Sequence, residues 1–456
     1  MTTRTRALAP LLMAAFAAFP AAAQTDVPGG GTATDSTKAA AAASLAKPIV
    51  IQNIRPNDQR GIGVFEAPKE AGVTFEGFKL DLGAAFTQQF QTIDHSNTAA
   101  ENLSNGVDLN KPVEIGPGFN NASANLYLNG QLAPGIRVAL TTYLSSRHHQ
   151  ETWVKDGYLL IDQSPIDHPV LDNLMEYLTL KVGHMEINYG DAHFRRSDNG
   201  QAIYNPFVGN YILDAFTTEV GAEAYVRTGP WLAMAGVTGG QIRGDVTNPS
   251  KRHPSFLGKV GFDQQLNDLV RIRLTGSAYA NAGSPGITLY AGDRAGSRYY
   301  SVLENANATT NGNFTSGLLN PGFGRELVAW QINPFVEVGG LELFGVVEKA
   351  EGRGATETDE QKREWTQYAA DVVYRFLPRE QLYVGARYNT VSGTMAAWRD
   401  DEVGADRFQV GAGWFITPSV LLKGEYVTQE YSGFPTTDIR SGGKFNGFVF
   451  EGVVAF

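Results

Sequence analysis

From Val73 to the carboxy-terminus, apolar and polar residues alternate with a period of two in segment after segment. Leu126, Leu128 and Leu132 alternate with Asn125, Tyr127, Asn129 and Gln131. Ile136, Val138, Leu140 and Leu144 alternate with Arg137, Ala139, Thr141 and Tyr143, and Val270, Ile272 and Leu274 with Arg271, Arg273 and Thr275. Successive strand side chains point to opposite faces, so each segment predicts a strand with one apolar and one polar face. The predicted strands run over Phe75–Ile93, Asn120–Leu132, Ile136–Ser146, Glu151–Gln163, Tyr177–Tyr189, Phe216–Thr228, Trp231–Arg243 and Pro254–Gln265. They continue over Leu269–Asn281, Leu327–Val338, Leu341–Glu351, Glu364–Phe376, Gln381–Thr394, Asp406–Thr417, Val420–Ser432 and Phe445–Phe456. That makes about sixteen, an even number, each long enough to cross a bilayer at a tilt.

The connections alternate too. Ala133-Pro134-Gly135, Gly229-Pro230, Asn267-Asp268, Gly339-Gly340, Pro378-Arg379 and Pro418-Ser419 are tight turns. The connections between them are long: Gln91–Gly118, Gly190–Ala215, Gly244–His253, Ala282–Glu326, Gly352–Arg363, Met395–Ala405 and Gly433–Lys444. Short periplasmic turns and long outer loops are the habit of transmembrane barrels. Gln163 to Glu176 departs from it, being long for a turn on the short side.

The last strand decides between a barrel and an open sheet. Phe448, Phe450, Val454 and Phe456 share one face, and the chain stops on Phe456. An apolar strand left at a sheet edge invites aggregation; closing the sheet removes the edge, and lipid accepts the aromatic face. The stretch resembles the closing strand of bacterial outer-membrane barrels, so these four residues are read as the barrel-closing signal. A polar inner face implies water inside, and sixteen strands are enough to leave a channel. Trp153, Trp231, Trp365 and Trp414 fall near strand ends, where an interfacial girdle is expected.

Composition agrees with this. Among 456 residues there is no cysteine, which suits an oxidising envelope and excludes disulfides. A net charge of -10 argues against nucleic acid. The mean hydropathy of -0.20 is too polar for a bundle of membrane helices. Residues 1–23 read as a signal peptide: Arg4 and Arg6, then the apolar run Ala7–Phe19, then Ala21-Ala22-Ala23 before Gln24. Residues 24–72 read as a disordered or periplasmic amino-terminal segment, in which 47–72 is a periplasmic linker with a plug or an oligomer contact as the alternatives, and residues 73–456 as the barrel.

Part of the chain is similar to the phosphate-selective porin O/P superfamily. The matching text is Leu-Tyr-Leu-Asn-Gly-Gln-Leu-Ala-Pro-Gly at 126–135, Val-Lys-Asp-Gly-Tyr at 154–158 and Leu-Thr-Leu-Lys-Val-Gly-His at 178–184. The resemblance implies a sixteen-stranded barrel, usually a homotrimer, with the third and fifth loops folded inward. Two departures stand out: Asn120-Asn121 where the family often has an arginine pair, and Asn188-Tyr189-Gly190 where it has Pro-Phe-Gly.

Chemistry beyond permeation finds little support. His184, Glu186 and His193 lie close together, as do His148, His149 and Glu151, but no second cluster completes a metal site. No Gly-x-Ser-x-Gly, Walker loop or dinucleotide fingerprint is present. Asp400-Asp401-Glu402 with Asp406 reads as an acidic outer loop, able to meet lipopolysaccharide through divalent cations. The sequence therefore predicts an outer-membrane porin passing small ions or hydrophilic solutes passively, with no cofactor and no catalysis. A receptor or adhesin barrel, or a barrel enzyme, is the alternative. Both signs of charge occur on the predicted inner faces, with Arg387 and Lys423 against Asp371, Glu425 and Glu451 among them. The constriction is expected from Gly190–Ala215, whose Phe194, Tyr204, Phe207 and Tyr211 are too many aromatics for a solvated loop. Arg195 and Arg196, with Lys181 and Arg137, are the candidates for a weak anion preference, and Asp191 and Asp198 flank the pair.

Overall fold

The computed structural model describes residues 51, 53–67, 74–120, 122–144, 152–242, 246, 249–291, 296–309 and 313–456. The expected signal peptide, most of the segment 24–72, and His148, His149 and Glu151 lie outside the described residues.

Period-two alternation becomes sixteen antiparallel strands. They are β1 Lys79–Ser96, β2 Ser123–Ala133, β3 Ile136–Leu144, β4 Thr152–Ile161, β5 Leu178–Glu186, β6 Thr218–Thr228, β7 Trp231–Thr238 and β8 Ser255–Gln265. The rest are β9 Val270–Asn281, β10 Glu326–Val338, β11 Leu341–Arg353, β12 Arg363–Phe376, β13 Leu382–Met395, β14 Trp398–Thr417, β15 Val420–Ser432 and β16 Lys444–Ala455. Each pairs with the next, and β1 pairs with both β2 and β16, which closes the barrel. A two-residue strand, Gly118–Phe119, joins the sheet beside β1. The closing pair runs Phe86 opposite Val454, Phe90 opposite Phe450 and Thr92 opposite Phe448.

Outside, Leu82, Phe86, Leu126, Val260, Leu274, Val328, Tyr374, Phe450 and Phe456 are exposed around the wall. A closed ladder with an apolar exterior is one of the few forms a chain can take across lipid, because every backbone group is paired internally. This is the architecture of a transmembrane β-barrel. The predicted turns lie together at one end; Gly339 takes a left-handed φ of 57° to make its two-residue hairpin. The long connection after β4 holds the helix α1, Pro169–Met175, so its length reflects a helix and not a miscounted pair of strands.

Three expectations change. Met395–Ala405 is not a loop: β13 and β14 continue as a paired hairpin, with Gly393 opposite Val403 and Met395 opposite Trp398. Asp400, Asp401 and Glu402 are exposed there, so backbone pairing proceeds while water solvates the carboxylates. Trp365 does not join a girdle: it is wholly buried inside, with Nε1–H donating to the Thr394 carbonyl at 2.9 Å, whereas Trp231 and Trp414 do face outward. Third, the inner face is not polar throughout. Inward apolar residues of the wall, among them Val373, Phe415, Val427 and Phe445, pack against segments that fold into the barrel.

Candidate constriction

At Glu186 the chain leaves β5 and crosses the lumen before rejoining the wall at Thr218. Inward polar groups of the wall hold this segment from several sides. Asn333 Oδ1 accepts from Asp191 N at 2.8 Å, Gln367 from Leu213 N at 3.0 Å, and Asn389 from Ile212 N at 2.7 Å. Glu425 accepts from Val208 N at 2.8 Å, and Lys423 donates to the carbonyls of Ala202, Asn205 and Phe207. On the far side, Asn199 donates to the Ala124 carbonyl at 2.7 Å. A crossing loop exposes backbone N–H and C=O groups that lack secondary-structure partners, and side chains on the polar phase of the strands supply them. The segment is a septum. Its aromatics serve as anchors: Phe207 packs with Val373 and Tyr383, and Tyr211 with Phe335 and Phe344.

A second layer comes from the connection after β9. Tyr290 Oη donates to Glu348 at 2.7 Å and Tyr299 Oη to Glu425 at 2.5 Å. Arg298 reaches Glu451 at 2.5 Å and the Asn199 carbonyl at 3.0 Å, and Leu319 N donates to the Ile212 carbonyl at 3.0 Å. Both long connections expected to fold inward or stay outside thus have inward-folded parts.

The charged candidates largely come together here. Asp191 lies 2.6 Å from Lys259 Nζ and 2.8 Å from Arg273 Nε, and Thr275 donates to it. Burial opposes its ionisation, but Lys259 and Arg273 outweigh burial and hold its carboxyl below the usual range. Arg195 Nη2 lies 2.5 Å from Glu342 Oε1 and 3.8 Å from Asp371. Burial works against the guanidinium charge, yet Glu342 and Asp371 raise its pKa above the ordinary value. Arg196 forms a two-toothed pair with Asp214, at 2.8 and 2.5 Å, and stacks 3.9 Å from the Phe216 ring centre. Asp198 accepts from the Tyr143 hydroxyl and lies 3.1 Å from Lys155 Nζ. Lys181 sits below, donating to the Glu186 carbonyl at 3.0 Å and lying 3.7 Å from Glu223. Arg137 stands apart: it pairs with Asp162 at 2.8 Å beside the turn between β2 and β3.

His184, Glu186 and His193 do not face a common centre. His193 Nδ1 bonds Glu186, Lys155 occupies the other Glu186 oxygen at 2.5 Å, and His184 bonds Thr218. A lysine ammonium thus already fills the place a metal would take.

Sequence reasoning missed the partners. Glu342 and Lys259 lie far along the chain from the charges they neutralise, while Asp214 and Lys155 are nearer, 18 and 31 positions from Arg196 and Glu186. A weak signal existed for Lys259, which falls on the inward phase of β8 and therefore needed an acid inside. From sequence, residues 53–67 are expected as a linker, with a plug as an alternative. They are seated in the barrel mouth below the septum. Arg55, pushed down to about 10 by burial and still a cation at neutral pH, donates to the Phe194 carbonyl at 2.9 Å and lies 3.6 Å from the Tyr204 ring centre. Between this segment, the septum and β2 to β6 lies a cavity of about 260 Å³, lined by Lys181, Arg227, Tyr158, Thr179, Asp156 and Tyr204 among others.

No protein-family model matches the chain, and no curated protein matches it. Solved structures do. The anion-selective porin from Comamonas acidovorans is similar with a TM-score of 0.49 and 12% identity over 83% of this chain and 100% of that one. The outer membrane channel DcaP of Acinetobacter baumannii is similar with a TM-score of 0.47 and 10% identity over 85% and 100%. OmpT, an outer membrane protein of Vibrio cholerae, is similar with a TM-score of 0.47 and 9% identity over 84% and 99%. At these identities the likeness is one of architecture and does not extend to what passes through the barrel.

Proposed function

We propose that this protein is a passive diffusion channel of the bacterial outer membrane, carrying small ions or hydrophilic solutes. The observation that carries the reading is the division of faces. A closed sixteen-stranded wall turns its apolar phase outward and its charged phase onto a loop-narrowed lumen. Such a lumen filters solutes by size and charge without a cofactor, an energy source or catalysis. The resemblance of residues 126–190 to the phosphate-selective porin O/P superfamily supports a porin, and the same resemblance is the ground for proposing a homotrimer.

A weak anion preference belongs to this reading. Arg195 and Arg196 are balanced by Glu342 and Asp214, so the preference rests more on Lys181 and Arg227, which line the cavity. The filled lumen favours a second reading, a receptor barrel with an internal plug. Planar-bilayer recording of the purified, folded protein decides between them. Discrete conductance steps support the channel, and a silent barrel supports the receptor. Reversal potential in a salt gradient, compared between the native chain and Lys181→Glu, tests the preference; an unchanged potential removes Lys181 from it.

A further inference from the structure

Residues 53–67 span the turn-side mouth and touch it on separate sides. Asn53 donates to Asp162 beside β4 at 2.5 Å. Gln59 N donates to the Pro418 carbonyl at 2.9 Å, and its side chain to the Arg379 carbonyl at 2.9 Å. Arg271 on β9 donates to the Gly63 carbonyl at 2.8 Å. Tyr204 of the septum donates to the Pro56 carbonyl at 2.5 Å. Phe65 is the anchor. It is 3% exposed, edge-on to Phe194 and Phe335 with centroids 5.8 and 5.2 Å away, under the guanidinium of Arg273 at 4.2 Å. Glu66 beside it lies 2.9 Å from Lys259 Nζ and 2.7 Å from Arg273 Nη2, and Asn188 donates to it at 3.0 Å.

The two sets of buried ion pairs differ in what their loss would leave behind. Pulling one partner from a buried pair is costly because it strands the other charge. Arg195 of the septum pairs with Glu342 of β11 at 2.5 Å, and the other cation near Glu342, Arg375, lies farther off at 3.4 Å, so moving the septum would leave Glu342 poorly paired. Lys259 and Arg273 are shared: Asp191 from the septum holds them as closely as Glu66 does, and Asp263 holds Arg273 as well. If Glu66 departs, the wall cations remain paired, and Glu66 itself gains water. The segment's remaining contacts are mostly single hydrogen bonds to backbone carbonyls, which water replaces at small net cost. The barrel therefore holds residues 53–67 firmly without depending on them.

We propose that residues 53–67 form a displaceable plug, which closes the turn-side mouth when seated and opens the cavity below the septum when withdrawn. The wall and the septum stay in place in both states. This rests on the diffusion-channel reading, and the test separates the two.

The test compares the full chain with a variant lacking residues 53–67 and with the pair Phe65→Ala/Glu66→Gln, each also carrying Thr179→Cys. Thr179 lines the cavity and the chain has no native cysteine, so a charged thiol reagent reports its opening. Heat-modifiable mobility on semi-native gels confirms that each barrel is folded. The deletion is expected to raise both the labelling rate of Thr179→Cys and the mean conductance several-fold, with the double substitution between the two. Equal labelling and equal conductance in native and deleted forms overturn the plug. Faster labelling after deletion, with no conductance from any form, supports the plug and overturns the channel reading.

Discussion

Phe456 and Ala84 exchange both of their backbone hydrogen bonds, each 2.9 Å long, across the seam where the last strand meets the first. The ring of Phe456 stays 61% exposed on the outer wall, in line with Phe448, Phe450 and Val454. The last residue thus supplies the final pair of the closing ladder and an apolar side chain for lipid. Deleting Phe456 removes both, and unpaired backbone in lipid costs several kcal/mol per group. The folded, heat-modifiable fraction is expected to fall sharply in the deletion, while Phe456→Leu, which keeps the pairing and an apolar side chain, retains most of it. A normal folded yield after deletion would show that the seam closes without its last pair.

The orientation of the barrel can be tested at two hairpins. Gly339 lies in a two-residue turn on the turn side, and Ala396 is exposed at the tip of the β13–β14 hairpin on the loop side. On intact cells, a membrane-impermeant thiol reagent is expected to label Ala396→Cys and to spare Gly339→Cys until the outer membrane is permeabilised. The reverse pattern would invert the topology. Because Gly339 has a left-handed φ, folded yield of its variant is measured alongside.

The wall was legible in the sequence and its contents only in part. Each of the sixteen strands lies within or close to a segment picked out by period-two alternation, because lipid on one side and polar groups on the other impose a different residue type at every step. Where pairing runs on beyond the membrane, as over Trp398–Ala405, that pressure is gone and alternation fades. Arg363, Trp365 and Phe445 face a lumen that is filled, so their inward positions carry no consistent polarity. The septum was visible through its aromatics. Its charge balance was not, since Arg195 meets Glu342 across 147 positions of sequence and Lys259 meets Glu66 from mid-chain. Residues 53–67 have no period at all: they are held by Phe65, Glu66 and backbone contacts, which leave no repeating mark.

Arg195 and Glu342 tie the septum to β11 at 2.5 Å, and both are nearly excluded from solvent. Removing one charge leaves the other buried and less well paired, a loss of about 3–5 kcal/mol in comparable cases. Arg195→Gln and Glu342→Gln are each expected to loosen the septum, read as faster protease cleavage between Gly190 and Ala215 in the folded barrel. The double variant Arg195→Gln/Glu342→Gln should lose less than the sum of the two, because neither charge is then stranded. Purely additive losses would show that the two residues act separately.

The acid response of the plug follows from Glu66. Burial disfavours its ionised form, but Lys259 and Arg273 beside it, with a hydrogen bond from Asn188, hold its carboxyl well below the usual carboxylate range. Asp191, on the same two cations, works the other way by repulsion. Arg227 lines the same cavity and lies within reach of the Glu66 field. Once withdrawn into water, Glu66 titrates near its ordinary value of about 4.5. Its pKa is thus lower in the seated state than in the released state, and the carboxylate favours seating. That contribution is complete above the ordinary value and is lost as pH falls through the seated value. In between, one proton taken up only on release shifts the balance about tenfold per pH unit towards the released form. Labelling of Thr179→Cys under the native plug, corrected for the reagent's own pH dependence, is therefore expected to be flat from neutral pH to about pH 5 and to rise below that. Glu66→Gln should start higher and stay flat over the same range. A rise of equal size in Glu66→Gln would assign the acid response to another group and take Glu66 out of the latch.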